Sequence, residues 1–157
     1  MIKSWMVIGA VALLVVALGG ALVTPDGSRW FNRLQRPRWL TFEPAIPFIW
    51  TVIYICAAWS AYVVWESALG SRKTWLMLLY LLLEVITTAY TPALFRLRSL
   101  KVGTIIGGTG AVLSIILALL VLPISTWASL LLVPYMIWSP IGTYTTWEMM
   151  QLNPDAV

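Results

Sequence analysis

The sequence predicts an all-α membrane protein: a bundle of five transmembrane helices whose long first loop carries a short helix. Three observations carry this. Of 157 residues, 61% are hydrophobic and 10% charged, where an ordinary soluble domain has a charged share of about 25%. The apolar residues come in runs near the ~20 residues that a bilayer requires. The basic residues fall between those runs, so the net charge of +4 speaks to topology and anionic headgroups rather than to nucleic acid. Cys56 is the only cysteine, and there is no histidine. That excludes an internal disulfide, histidine metal sites, histidine haem ligation and histidine-based triads.

The spans follow in order. Residues 4–23 carry no charge and follow Lys3. A signal peptide is the alternative here, but the apolar run is long for one and no A-x-A site follows, so a retained helix is expected. Residues 45–65, 74–95, 103–122 and 125–147 form the other four spans. Pro123 separates the last two, because proline removes a helical hydrogen bond and biases the preceding residue away from helix. Apart from the first loop the connections are short, which makes sequential helices antiparallel neighbours in one domain over residues 1–157. Lys3, Arg72 and Lys73 lie on one side. Arg29, Arg33, Arg36, Arg38, Arg96, Arg98 and Lys101 lie on the other. The excess places the first loop and the C-terminus in the cytoplasm.

The first loop reads "WFNRLQRPRWLTFEPAIPFIW" from Trp30 to Trp50. Asp26 or Ser28 can cap a short helix through residues 29–36, with Pro37 ending it. Trp30, Phe31 and Leu34 then share one side, and Arg29, Arg33 and Arg36 reach water or phosphate. Two readings stand: an aromatic and basic interface anchor, or a lid over a ligand pocket, since long ordered loops are often functional.

The spans place unusual groups on shared faces. Trp50, Tyr54, Ala57 and Ala61 follow helical spacing in the second span, and Tyr135, Trp138, Gly142 and Thr146 do so in the fifth, with Ser139 and Thr143 beside them. Thr87, Thr88, Tyr90 and Thr91 precede Pro92 in the third. Polar groups in hydrocarbon turn inward to find partners. Three faces of rings, hydroxyls and small residues form either ordinary packing or a cavity for a large, flat, mostly apolar ligand.

These residues resemble the TspO/translocator protein family, the tryptophan-rich sensory proteins, known in animals as the peripheral benzodiazepine receptor. The family shows W-[FY]-x-x-L-x-[KR]-P-x-W followed by W-T-x-x-Y. Trp30, Phe31, Leu34, Arg36, Pro37, Trp39, Trp50, Thr51 and Tyr54 match it. "LLVPYMIW" with a terminal Leu152-Asn153, and "AYTPALFRLRS", are similar to the family's fifth and third helices. The resemblance spans nearly the whole chain. It implies a five-helix bundle, usually a homodimer, whose first loop closes over a tetrapyrrole pocket. Family members bind protoporphyrin IX and haem-related molecules, animal members bind cholesterol and synthetic ligands, and some bacterial members degrade protoporphyrin in light. The family's pocket tryptophans map onto Trp50 and Trp138, and its loop tryptophans onto Trp30 and Trp39. The ligand-binding residues so expected are Trp30, Trp39, Trp50, Tyr54, Thr87, Tyr90, Tyr135, Trp138, Gly142 and Thr146. No obligatory cofactor or metal is expected.

Departures from the pattern bear on the ligand. The Pro-Pro pair after the second loop tryptophan is replaced by "LTFEPAIP". Thr87 and Thr146 stand at the positions of family asparagines, and Thr88 and Tyr90 where tryptophans are common. No Lys or Arg follows Lys101, so the weak sterol motif at the end of the last helix is absent.

Three features remain. Glu84 lies midway in the third span; an intramembrane carboxylate is costly, and is either neutralised or hydrogen-bonded in packing, or serves a ligand or proton. Gly103, Gly107, Gly110 and Ser114 permit close helix approach, within the bundle or between protomers. Catalysis finds no nucleophile–base pair and no phosphate loop. In light-driven porphyrin breakdown, the porphyrin would be the photosensitiser and Trp50 and Trp138 the electron donors. A receptor or regulator is the expected function, a photo-oxidative enzyme or a transporter the alternatives; transporters more often show repeats and broken helices.

Overall fold

A computed structural model of the chain describes residues 3–157. Every regular element among them is helical: α1 (Ser4–Ala21), α2 (Pro25–Asn32), α3 (Ile46–Ser67), α4 (Gly70–Leu97), α5 (Leu100–Val121), α6 (Thr126–Leu130) and α7 (Val133–Leu152), with 3₁₀ turns at Glu43–Ala45 and Pro154–Ala156. Four stretches are long and apolar enough to cross a membrane: Ser4–Ala21, Glu43–Ser67, Gly70–Leu97 and Leu100–Val121. The 20 residues of α7 include Ser139, Thr143, Thr145, Thr146, Glu148 and Gln151, and α7 is not among the four.

Several expected bounds move for identifiable reasons. The stretch 125–147 is not one helix, because α6 stops at Leu130 and α7 begins at Val133. Pro134 has no N–H to offer the carbonyl four residues earlier, at Leu130, and the helix restarts with proline in its first turn. In α4 a proline is instead tolerated: Pro92 sits inside the helix, which runs on to Leu97. The bond it omits would have ended on the Thr88 carbonyl. At that point α1 comes close, since a Cβ added to Gly19 would lie 3.0 Å from Thr88 Cβ and 3.1 Å from Thr88 O.

The loop helix also starts earlier than expected. Neither Asp26 nor Ser28 caps it. Thr24 does, its Oγ1 accepting the Gly27 N–H at 3.2 Å, and Pro25 follows in the first turn, where its missing N–H costs nothing. Asp26 sits near the positive helix end and pairs with Arg29, whose guanidinium holds the carboxyl below its ordinary range. The pair is exposed, so it adds little stability.

The core is apolar, but so are the flanks, and a few hydroxyls are buried. Leu13, Leu119, Ile105 and Val112 stand exposed on the flanks, while Ser60, Ser114, Ser139 and Thr146 are buried. The buried hydroxyls are satisfied. Ser60 Oγ donates to Ala128 O at 2.6 Å and accepts from Tyr80 OH at 2.5 Å, so α3, α4 and α6 meet at one point. Such bonds hold helices together where lipid is as apolar as leucine.

The α5 glycines let α5 approach α7 and, at Gly103, α4, where an added Cβ would lie 2.8 Å from Leu94 Cδ1. A Cβ on Gly107 would lie 2.7 Å from Thr143 Oγ1, one on Gly110 2.7 Å from Tyr135 OH, and one on Gly103 3.2 Å from Thr146 Cγ2. This stripe therefore serves packing within the bundle.

Candidate functional site

A cavity of about 540 Å³ opens between α1, α3, α4, α5 and α7 beneath the first loop. Small-molecule sites commonly measure about 300–1,000 Å³. Of the residues expected to bind ligand, Trp50, Tyr54, Thr87, Tyr90, Tyr135, Trp138, Gly142 and Thr146 line it, and Trp30 and Trp39 do not.

Aromatic rings line the cavity in three groups. Trp50 lies 6.0 Å from Tyr54 and meets Tyr135 edge-on at 5.9 Å. Trp138 stands on the α7 side, with Phe42 of the loop edge-on against it at 6.2 Å. At the other margin Phe31 and Phe95 lie 5.0 Å apart.

The hydroxyls are less available than their types imply. Thr87 Oγ1 donates to Leu83 O at 2.6 Å and accepts from Tyr135 OH at 2.6 Å. Thr146 Oγ1 donates to Gly142 O at 2.9 Å and pairs with Tyr90 OH. Both couples tie α4 to α7. A Thr hydroxyl has one proton, and here each is spent on its own helix. Tyr54 OH and the indole N–H groups of Trp50 and Trp138 make no hydrogen bond among the described residues. The cavity thus offers mostly ring faces, with a few free donors.

The loop covers this cavity with residues other than its tryptophans. Phe31, Leu40 and Glu43 line the roof. Trp30 is instead half-buried against the cluster of Leu94, Leu100, Met149 and Ala156. Phe31 touches the same cluster but also reaches the cavity, from the α2 face that Gly27 presses against Phe95, whose ring it meets at 5.0 Å. Trp39 is a brace. Its Nε1 donates to Glu148 Oε2 at 2.6 Å, its ring stacks on Tyr144 at 6.1 Å, and Phe42 beside it reaches Trp138.

Arg36 turns inward rather than to water or phosphate. Its Nη1 donates to Phe31 O and Leu34 O, both at 2.7 Å, its other nitrogens reach Glu43 at 3.4 Å, and it lies 4.6 Å over the Phe31 ring. The kink around Pro37 leaves carbonyls without helical partners, and the fork of donors on arginine answers them. Arg29, Arg33 and Arg38 remain exposed.

Asn153, which carried no role beyond a terminal motif, clamps the loop. Its Oδ1 accepts the Gln35 N–H at 2.8 Å and its Nδ2 donates to Gln35 O at 3.0 Å and to Met149 O at 2.8 Å. Replacing Asn153 with Ala removes both loop bonds. Each is worth about 1 kcal/mol, so amide exchange across residues 33–36 is expected to rise about thirtyfold by mass spectrometry, with the global melting midpoint little changed.

Among the described residues no group of His, Cys, Asp or Glu could hold a metal. Residues 7–152 match the TspO/MBR family. The chain is 28% identical to the tryptophan-rich sensory protein of Cereibacter sphaeroides, over 87% of this chain and 84% of that one. It is 26% identical to the uncharacterized membrane protein YtaB of Bacillus subtilis, over 94% and 97%. The translocator protein of Ovis aries is 26% identical over 87% and 82%.

Proposed function

This chain belongs to the TspO/MBR family, and on that premise we propose that it is a membrane receptor or regulator binding tetrapyrroles in the cavity beneath its first loop, in stress or tetrapyrrole homeostasis. The observation that carries the reading is the ring-lined cavity itself. Trp50 and Trp138 from α3 and α7 and Phe31 from the loop present apolar faces to one space, and a flat macrocycle is recognised by such faces. Its carboxylates would lie at the loop end, where Arg33 and Arg38 are exposed and in neither of the ion pairs Arg29–Asp26 and Arg36–Glu43.

In the same reading α7 is a fifth span. Its 20 residues rise about 30 Å, near the thickness of the hydrocarbon core. Its outer face carries Ile137, Ile141, Tyr144 and Trp147, all exposed, and its inner face Ser139 and Thr146. The loop faces the cytoplasm, and the protein pairs as a homodimer.

The test is a titration of purified protein with protoporphyrin IX in the dark, read by tryptophan quenching and absorbance. Saturable quenching at a stoichiometric plateau is expected. Linear, unsaturable quenching equal to that of empty detergent micelles rejects the reading.

A second reading rests on Trp50 and Trp138 both lining the cavity: a bound porphyrin, excited by light, takes one electron from an indole, and dissolved dioxygen, the oxidant, then consumes the radical pair with breakdown of the macrocycle. Under illumination, Trp138→Phe is expected to slow bleaching of the porphyrin band about tenfold at saturating porphyrin. Bleaching at the rate of the unaltered protein removes Trp138 from that chemistry.

A further inference from the structure

A second cavity, of about 400 Å³, lies between α1, α3 and α4. The two cavities occupy different heights of the bundle. On α1 the first takes Gly19 and Gly20, the second Val7, Ile8, Val11 and Ala12. On α3 the second reaches as far as Trp65, so its wall extends over about 18 Å of helix at 1.5 Å per residue. They meet at Tyr54, Thr87 and Tyr135, which line both, and the 2.6 Å bond between Tyr135 and Thr87 closes part of the division.

The walls of the second cavity are apolar almost throughout, and the Ala57, Ala58 and Ala61 side chains on α3 give it width. Two threonines and three tyrosines also reach it, and Glu84 is its one charged lining residue. It lines this cavity and not the first, and its Oε1 is buried with no hydrogen-bond partner. The ion pairs among the described residues are Arg29–Asp26 and Arg36–Glu43, so no basic side chain answers it. At the cavity's far end Lys73 lies over the Trp65 ring, 5.0 Å from its centroid. A buried carboxylate oxygen without a donor is costly in hydrocarbon, and a ligand that brings a donor offsets that cost.

We propose that this cavity is a binding site for a lipophilic amine, whose apolar body lies along the alanines of α3 and whose ammonium group pairs with the Glu84 carboxylate, a turn of the side chain bringing the sealed Oε1 to it. Charge complementarity selects this occupant over an acyl chain, which would leave the oxygen unpaired. Glu84 lines the second cavity alone, so its substitution separates amine binding from porphyrin binding although Tyr54, Thr87 and Tyr135 are common to both.

The experiment uses the full chain in zwitterionic-lipid nanodiscs and ¹⁹F NMR titration with 4-(trifluoromethyl)phenethylamine. The neutral comparator is 1-propyl-4-(trifluoromethyl)benzene, and empty nanodiscs are subtracted. Saturable amine binding is expected, with the comparator at least about tenfold weaker. Glu84→Gln, nearly isosteric, should weaken the amine about tenfold while porphyrin quenching persists, and Ala57→Phe should remove amine binding by filling the space. Equal binding of amine and comparator would show an acyl-chain slot only and overturn the proposal. So would an unaltered amine affinity in Glu84→Gln. Should Ala57→Phe fail to fold, the amine-to-comparator ratio in the unaltered protein decides.

Discussion

Gly142→Phe is expected to abolish porphyrin binding while leaving the bundle intact. Gly142 lines the first cavity midway along α7, and a Cβ built on it meets no atom within 4 Å. A benzyl group there enters empty space rather than a neighbour, so the cost that usually attends overpacking is absent. Replacing a mid-helix glycine also removes an entropic cost of about 0.5–1 kcal/mol. The space so filled is the space between Trp138 and the rings of α3. Affinity in the dark titration should fall about 100-fold, or roughly 2.8 kcal/mol, with an unchanged or slightly raised melting temperature. Gly142→Ala is the matched control: about the same stabilisation, with affinity within roughly threefold, since one methyl group leaves most of the cavity open. A Gly142→Phe protein that melts normally and binds porphyrin as before would place the ligand elsewhere.

Why Gly142 was legible in the sequence, and the loop's roof was not, has a physical answer. Helical spacing fixes which residues share a face, so Trp50 with Tyr54, and Tyr135 with Trp138, Gly142 and Thr146, could be grouped by number alone. The bilayer supplies the rest, since it forces hydroxyls inward. Spacing does not say which hydroxyl is already taken. The Thr87–Tyr135 and Tyr90–Thr146 couples join helices about 50 residues apart, and no local pattern announces them. The loop is worse, because its conformation is set by tertiary bonds: Arg36 to its own carbonyls, Gln35 to Asn153, Trp39 to Glu148. The family resemblance implied that Trp30 and Trp39 would meet the ligand. Geometry puts Phe31 and Leu40, each one position further on, at the roof instead. The break at Leu130 was signalled by Pro134, whereas Pro92 lies within an unbroken helix. The two differ in what surrounds them, which sequence does not show.

Gly27→Ala is expected to unseat the loop. Gly27 is buried where α2 crosses α4, and an added Cβ would stand 2.6 Å from Phe95 Cβ and 2.7 Å from Phe95 O. Neither atom can rotate away: one is attached to the backbone and the other belongs to it. The whole of α2 must move. Phe31 shares the Gly27 face and packs on the Phe95 ring, so a shift of α2 withdraws Phe31 from the cavity roof and strains the bonds that Arg36 makes to Phe31 O and Leu34 O. Overpacking of this kind costs about 1–3 kcal/mol. The loss should fall on the loop's local stability rather than spread through the bundle, because α2 contributes to the smaller apolar cluster at that end. Limited trypsin digestion should cut at Arg33 or Arg38 at least about tenfold faster than in the unaltered protein, and porphyrin affinity should fall about tenfold with it. Gly9→Ala is the control. Its Cβ meets nothing within 4 Å, so it should be neutral or slightly stabilising and leave digestion unchanged. If Gly27→Ala matches Gly9→Ala in both digestion and binding, α2 does not hold the roof, and a lid role for this loop is lost.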